Sequence, residues 1–146
     1  MATDPADSLD VQGIVIRVAH HIDSRRWPEL RALFADTVQT DYTSLFGGEV
    51  QDQPADDLMG AWRNLLTPVV TQHILGPVDV EVTGQTARAE CHVRGYHVKK
   101  GAPGGDEWMV SGHYVFELQR SAPGWKIRKM KLETLYQTGN QKLLQG

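Results

Sequence analysis

The chain has 146 residues, of which 40% are hydrophobic and 23% are charged, and its formal net charge is -3. These values predict a single domain that is large enough to bury a substantial core. The acidic balance and the scattered Lys and Arg residues argue against a nucleic-acid or membrane-surface partner, and no apolar run approaches the ~20 residues of a membrane span.

The cysteine content and the chain ends indicate where the protein works. The single cysteine, Cys91, cannot form an internal disulfide, and the N-terminal residues lack the charged-then-apolar pattern of a signal peptide. We therefore expect a cytoplasmic protein with one domain over residues 1–146. Its polar ends, at about 1–6 and 141–146, are expected to be loose.

Three helices are predicted in the first half of the chain. Apolar residues recur at intervals of three and four from about 8 to 23, which is typical of an amphipathic helix, and Asp7 or Ser8 can cap it. A short second helix begins at a proline and covers about 28–34. The segment 54–68, which begins and ends with proline, is predicted to form the third helix.

Strands are predicted on both sides of the third helix. The first covers 37–44 and carries Tyr42 on an apolar face. The alternation of apolar and polar residues then predicts long antiparallel strands at about 70–83, 86–99, 107–120 and 124–138. A change of phase at Gly76-Pro77 indicates a bulge or bend, and Ala122-Pro123-Gly124 makes the last turn. Three helices on a strongly curved, mostly antiparallel sheet give an α+β domain that closes as a cone around a pocket.

The strand at 86–99 predicts where that pocket lies. Its inward face ends at His97 and is otherwise made of small residues, namely Ala87, Ala89, Cys91, Val93 and Gly95. Side chains of this size do not fill the space above a sheet, so a cavity is expected there. An imidazole among such apolar neighbours needs a polar partner.

Several short motifs, taken together, resemble a known family. In chain order they are Asp23-Ser-Arg-Arg-Trp27, Asp41-Tyr42, Thr71-Gln-His73 and Gly124-Trp125-Lys126. Their order and spacing, over about residues 14–136, are similar to the SnoaL-like branch of the NTF2-like superfamily and, within it, to the scytalone dehydratases. The resemblance implies catalytic roles for Asp23, Tyr42, His73 and His97, with Asp23 holding His97 by a hydrogen bond.

The resemblance also implies a reaction, the removal of water from a small cyclic or aromatic hydroxy-ketone without a cofactor. His97 would protonate the leaving hydroxyl, while His73 and Tyr42 would act on the carbon-bound proton and the carbonyl oxygen. The residues expected to shape the substrate pocket are Ile22, Met59, Trp62, Gly112 and Tyr114. No local spacing such as His-x-x-x-His supports a metal site.

Two other functions stay open at this stage. One is a ring isomerase or polyketide cyclase that uses the same Asp-His pair, and the other is a small-ligand-binding domain without catalysis. Family members usually form homodimers or homotrimers through the outer face of the sheet, and we expect the same here. That face is mixed and polar in this sequence.

Overall fold

A computed structural model gives the structure of the chain and describes residues 3–122 and 124–145. Its α-helices are α1 (Pro5–Asp23), α2 (Trp27–Arg31), α3 (Thr43–Phe46) and α4 (Ala55–Leu66), and a 3-10 turn covers Leu143–Gln145. Its strands are β1 (Phe34–Asp41), β2 (Gln51–Pro54), β3 (Val70–Leu75), β4 (Asp79–Thr83), β5 (Thr86–Val98), β6 (Glu107–Ser121) and β7 (Gly124–Gly139).

The described strands form one curved sheet. Their order is β2-β1-β7-β6-β5-β3. Strand β4 also pairs with β5, through residues 86–90, whereas β3 pairs with residues 93–98. The pairs are antiparallel except for β1 and β7, which run parallel. Register shifts at Ser111/Gly112 and Glu117/Leu118 place bulges between β6 and β7, and bulges bend a sheet. The α+β class and the curved, mostly antiparallel sheet are thus confirmed.

The helix α1 packs on β3, β4 and β5 and buries one apolar face against the sheet. Its N-cap is Asp4, whose carboxylate accepts hydrogen bonds from the backbone N–H groups of Ala6 and Asp7. The predicted cap at Asp7 or Ser8 is therefore wrong, because the helix begins one turn earlier. Asp7 instead accepts two hydrogen bonds from the guanidinium of Arg120 on β6.

The boundaries in the first half of the chain differ from the prediction. Strand β1 begins at Phe34, so the second helix is shorter than expected and the strand predicted at 37–44 starts and ends about three residues earlier. Tyr42 consequently lies at the start of α3 rather than on a strand. Neither α3 nor β2 was predicted, because each is a four-residue element with no periodic pattern to read.

The strand predicted at 70–83 is divided in two. Strand β3 ends at Leu75 and β4 begins at Asp79, and both pair with β5. Pro77 lies in the gap, where it cannot donate a hydrogen bond to a ladder. The irregularity expected at Gly76-Pro77 is therefore a complete break between two short strands.

The C-terminal segment was expected to be loose, but it packs on the core. Leu143 is fully buried, and Asn140 donates hydrogen bonds from its side chain to the carbonyl oxygens of Pro103 and Gly105. At the other end, Thr3 accepts a hydrogen bond from the backbone N–H of Val82. Residues 1, 2, 123 and 146, on which other parts of these predictions fall, lie outside the described residues. Within the described ranges, no helix has both the length and the apolar character to cross a membrane.

Candidate active site

A cavity of about 160 Å³ lies on the concave face of the sheet. The strands β3, β5, β6 and β7 form its floor, and α3, α4 and the C-terminal turn close over it. Its walls are mostly apolar and aromatic, and they include Phe46, Trp62, Trp108, Val110, Leu132 and Leu144. Its polar side chains are two histidines, His73 and His97, and two tyrosines, Tyr42 and Tyr114.

Gly95 makes room for the two imidazoles. It faces the cavity from β5, and a Cβ placed on it would lie 3.3 Å from a ring carbon of His73 and 3.3 Å from a ring carbon of His97. The two rings meet edge to face, with their centres 6.0 Å apart. The small inward face predicted for this strand therefore leaves a cavity, and its glycine lies where the histidines converge.

Asp23 pairs with His73. The carboxylate of Asp23, the last residue of α1, accepts a hydrogen bond from His73 Nδ1 at 2.7 Å through Oδ1 and one from the His73 backbone N–H at 2.8 Å through Oδ2. The Thr71 hydroxyl donates a third bond to Oδ1 at 3.0 Å. With its Nδ1 proton fixed in this way, His73 has Nε2 available to exchange a proton with a molecule in the cavity.

These contacts set the charge of Asp23. Burial alone would raise the pKa of this carboxyl, but the hydrogen bonds and the charge interaction with His73, together with the bond from Thr71, outweigh burial and hold the pKa below its ordinary value. Asp23 is therefore ionised near neutral pH, so the hydrogen bond that it accepts from His73 Nδ1 is charge-assisted. An acid at a helix C-terminus opposes the helix dipole, and these three hydrogen bonds offset that small cost.

Arg25 supports the Asp23–His73 pair through its hydrogen bond to Thr71. Its guanidinium donates to the Thr71 hydroxyl at 2.9 Å, to the carbonyl oxygen of Ile22 at 2.6 Å and to those of Leu66 and Val69. Since Thr71 accepts from Arg25, its own proton is free to go to Asp23. Arg25 also has a positive φ of 59°, which turns the chain sharply after α1. The sequence analysis did not single out this residue, and a basic side chain just after a helix gives little signal.

The predicted hydrogen bond between Asp23 and His97 is wrong. His97 Nδ1 lies 3.2 Å from the carbonyl oxygen of Trp108, its partner in the β5–β6 ladder. The strand register explains the difference. His73 lies on the edge strand β3 and pairs with Gly95 of β5, so its backbone N–H points away from β5 and toward the end of α1. His97 lies one strand further into the sheet.

The surroundings of His97 keep its ring neutral. Burial, and to a lesser degree the neighbouring His73, lowers the pKa of His97 to about 4, although the Trp108 carbonyl acts in the opposite direction. A carbonyl oxygen can only accept, so we infer that Nδ1 carries the proton and that Nε2 is a hydrogen-bond acceptor. The proton-donating role predicted for His97 therefore does not fit its environment. The Trp108 ring packs against it, with the centres 4.5 Å apart.

The two tyrosines supply hydroxyl groups elsewhere on the cavity wall. Burial raises the pKa of Tyr42 and that of Tyr114, and the two hydroxyls interact with each other. The Tyr42 hydroxyl also lies 3.9 Å from the sulfur of Met130. Both phenols stay protonated at neutral pH, and since one hydroxyl donates to the other, one proton of the pair is left to donate to a ligand.

The residues predicted to shape the pocket divide into two groups. Ile22, Trp62 and Tyr114 line the cavity. Met59 packs into the hydrophobic core instead, and Gly112 lies at the β6–β7 bulge, where a Cβ would come within 2.9 Å of Leu132 and 2.7 Å of the backbone of β7. The prediction for these two is therefore wrong, because α4 turns Met59 inward and the bulge turns position 112 toward the neighbouring strand.

His73 also borders the outside of the domain. Besides the cavity, its side chain lines a groove between α1 and the break after β3, together with Gln12, His20 and Pro77. Its ring therefore lies between the cavity and solvent. Among the described residues, no group of three or more His, Cys, Asp or Glu side chains is placed to hold a metal ion together.

Comparison with known proteins places this site in a family. Residues 4–131 match the profile of the SnoaL-like domain. A dehydratase from Pestalotiopsis microspora is 32% identical over 121 residues, which cover 77% of this chain and 76% of that protein. The crystal structure of the Kfla4162 protein from Kribbella flavida matches with a TM-score of 0.89 at 26% identity and covers 97% of this chain and 98% of its own. A proposed scytalone dehydratase from Novosphingobium aromaticivorans matches with a TM-score of 0.79 at 17% identity, over 92% and 88% of the two chains. The chain belongs to the SnoaL-like domain family, with the NTF2-like fold that its motifs resemble.

Proposed function

We propose that the protein is a cofactor-independent dehydratase that removes water from a small cyclic hydroxy-ketone, with Asp23 and His73 as its acid–base pair. The observation that carries this proposal is the 2.7 Å contact between Asp23 Oδ1 and His73 Nδ1 at the wall of an apolar cavity. The relative named as a dehydratase supports the same reaction class.

The first step is removal of a proton from carbon. His73 Nε2 takes the proton next to the substrate carbonyl, and the Asp23 carboxylate stabilises the imidazolium that forms. The carbonyl oxygen gains negative charge as the enolate develops. The hydrogen-bonded Tyr42–Tyr114 pair supplies a donor for that oxygen, and a preorganised donor acts strongly at an apolar cavity wall.

The second step returns the same proton. The enolate re-forms the carbonyl, the carbon–oxygen bond to the hydroxyl breaks, and the imidazolium of His73 gives its proton to the departing hydroxide. The products are an unsaturated ketone and one water molecule, and His73 ends neutral. His97 accepts a hydrogen bond from the departing hydroxyl through Nε2 and so orients it. His73 thus takes the acid role that the sequence analysis assigned to His97.

The test measures substrate turnover and ligand binding in one variant and in its matched control. We expect the protein to convert 3-hydroxycyclohexanone to cyclohexenone, followed by the absorbance of the conjugated ketone. Asp23→Asn should lower this rate by about 10²-fold or more, the usual contribution of a positioned acid–base group, and leave ligand binding in place. The matched control is Asp10→Asn, which alters an exposed acid on the same helix.

Other outcomes identify other functions. An isomerase would use the same pair to return the proton to a different carbon. A cyclase would let the enolate carbon attack a second carbonyl and would give the proton to the alkoxide that forms. Either product would keep the oxygen that dehydration removes. A protein that binds ring ligands without any turnover would be a binding domain. Full activity in Asp23→Asn would contradict the proposed acid–base pair.

We also propose that the protein assembles as a homodimer or homotrimer through the outer face of the sheet. Exposed apolar side chains lie there on neighbouring strands, namely Val70, Ile74, Tyr96 and Tyr136. Arg88 and Glu90, which form an ion pair with each other, lie on the same face of β5 and give it a mixed polar and apolar character. Sedimentation velocity tests this proposal, and Tyr96→Glu should shift the protein toward monomer. A wild-type protein that sediments as a monomer would contradict it.

A further inference from the structure

The geometry points to a substrate with one ring and no negative charge, whose hydroxyl group donates a hydrogen bond to His97. This inference deepens the proposed function and rests on it only in treating the ligand as a substrate. Its three parts concern ligand binding, and binding measurements test them. The size, charge and hydrogen-bonding capacity of the cavity each contribute one part.

The size of the cavity sets the number of rings. Its volume is about 160 Å³. An engineered apolar cavity of about 150 Å³ in another protein holds one benzene molecule. A six-membered ring with one or two small substituents therefore fills this space, whereas a fused two-ring skeleton would extend beyond it and bury less of its surface.

The charges around the cavity disfavour anionic ligands. No Lys or Arg is among the described residues that line it, and the Arg25 guanidinium donates four hydrogen bonds to Thr71 and to three backbone carbonyl oxygens. A carboxylate in the cavity would lose its hydration and lie near the Asp23 carboxylate. Burying a negative charge without a partner costs more than a small ligand gains by binding, so the ligand must not be anionic.

The orientation of His97 selects for a hydroxyl group. Its Nδ1 proton is taken by the Trp108 carbonyl, the residue is 9% exposed, and it lines the cavity. Nε2 is then an acceptor without a proton, held in place by the Trp108 ring that packs against it. A ligand hydroxyl satisfies this acceptor, but a methyl ether at the same place leaves it unpaired. That difference corresponds to a loss of about tenfold or more in affinity.

The experiment measures the affinity of four probes for the full-length protein by calorimetry. The probes are phenol, anisole, benzoate and 2-naphthol, which change the hydrogen-bond donor, the charge and the number of rings one at a time. We expect phenol to bind, anisole to bind about tenfold more weakly or worse, and benzoate and 2-naphthol to bind far more weakly than phenol.

Two variants and one spectroscopic measurement assign the selectivity to His97. His97→Leu should bind phenol and anisole equally, while the matched change His92→Leu, on the exposed face of the same strand, should keep the preference. If His97→Leu does not fold, the nitrogen resonance of His97 Nε2 in the wild-type protein serves instead, because phenol should shift it and anisole should not.

The inference and the proposed function fail separately. Binding of 2-naphthol or benzoate as tightly as phenol, or a preference for phenol that survives in His97→Leu, would overturn the inferred substrate class. Asp23→Asn should still prefer phenol over anisole, because the pair is not part of this recognition. A protein with the expected ligand preferences but no dehydration would keep this inference and lose the proposed reaction.

Discussion

The neutral, buried ring of His97 makes the stability of the protein sensitive to acid. A histidine in the unfolded chain has a pKa of about 6.5, whereas burial lowers that of folded His97 to about 4. When the pH falls below about 6.5, the unfolded chain therefore binds a proton at His97 that the folded protein does not bind. Folding stability is lost between these two values, and the loss stops once the folded ring is also protonated below pH 4.

The size of this effect follows from the shift. Each unit of pKa corresponds to about 1.4 kcal/mol, so the difference between about 6.5 and about 4 gives a loss of about 3 kcal/mol at pH 4. This is a large share of the 5–15 kcal/mol that is typical of a whole domain. Asp23 acts in a separate window, since its lowered pKa places its loss of stability below the ordinary aspartate range.

The assay is urea unfolding at a series of pH values from 7 to 4, for the wild type and for His97→Asn. The variant keeps a donor for the Trp108 carbonyl but has no titrating ring, so its stability should fall by about 3 kcal/mol less over this range. His92→Asn, on the exposed face of β5, is the control and should follow the wild type. Equal pH dependence in the wild type and His97→Asn would refute the claim that folded His97 stays neutral.

Three other substitutions test separate parts of the structure. Gly95→Val puts a branched side chain between the two imidazoles, and we expect it to abolish phenol binding in calorimetry while circular dichroism stays unchanged. Leu143→Ala should cost about 2–5 kcal/mol in urea unfolding because the side chain is fully buried, whereas Leu135→Ala, at a site 63% exposed, should change stability by less than about 0.5 kcal/mol. Arg25→Met removes the guanidinium bonds to the Thr71 hydroxyl and to the carbonyl oxygen of Val69 and should destabilise the fold by about 1–3 kcal/mol, with weaker turnover of 3-hydroxycyclohexanone.

The long elements were predictable because their patterns repeat many times. The alternation along β5 located the cavity, since small residues on one face of a strand imply empty space above it. The apolar positions of α1 predicted its buried face, although its first turn was missed. Short elements carry too few residues for any period, and so α3, β2 and the buried Leu143 were not foreseen.

The four residues predicted to be catalytic lie close together, but the contacts among them were not predictable. Tyr42, His73 and His97 line the cavity, and Asp23 binds His73. Which histidine Asp23 binds depends on the break after β3 and on the turn at Arg25, and neither follows from residue spacing. The register of two strands is the reason that the proposed proton-transfer group is His73 and not His97.

The central claim is that Asp23 holds the ring of His73, and nitrogen NMR of the histidine side chains tests it most directly. We predict a strongly hydrogen-bonded Nδ1 proton on His73 that disappears in Asp23→Asn and persists in Asp10→Asn, while the Nδ1 proton of His97 is the same in all three proteins. A proton that Asp23→Asn removes from His97 instead would contradict the assignment and restore the pairing predicted from the sequence.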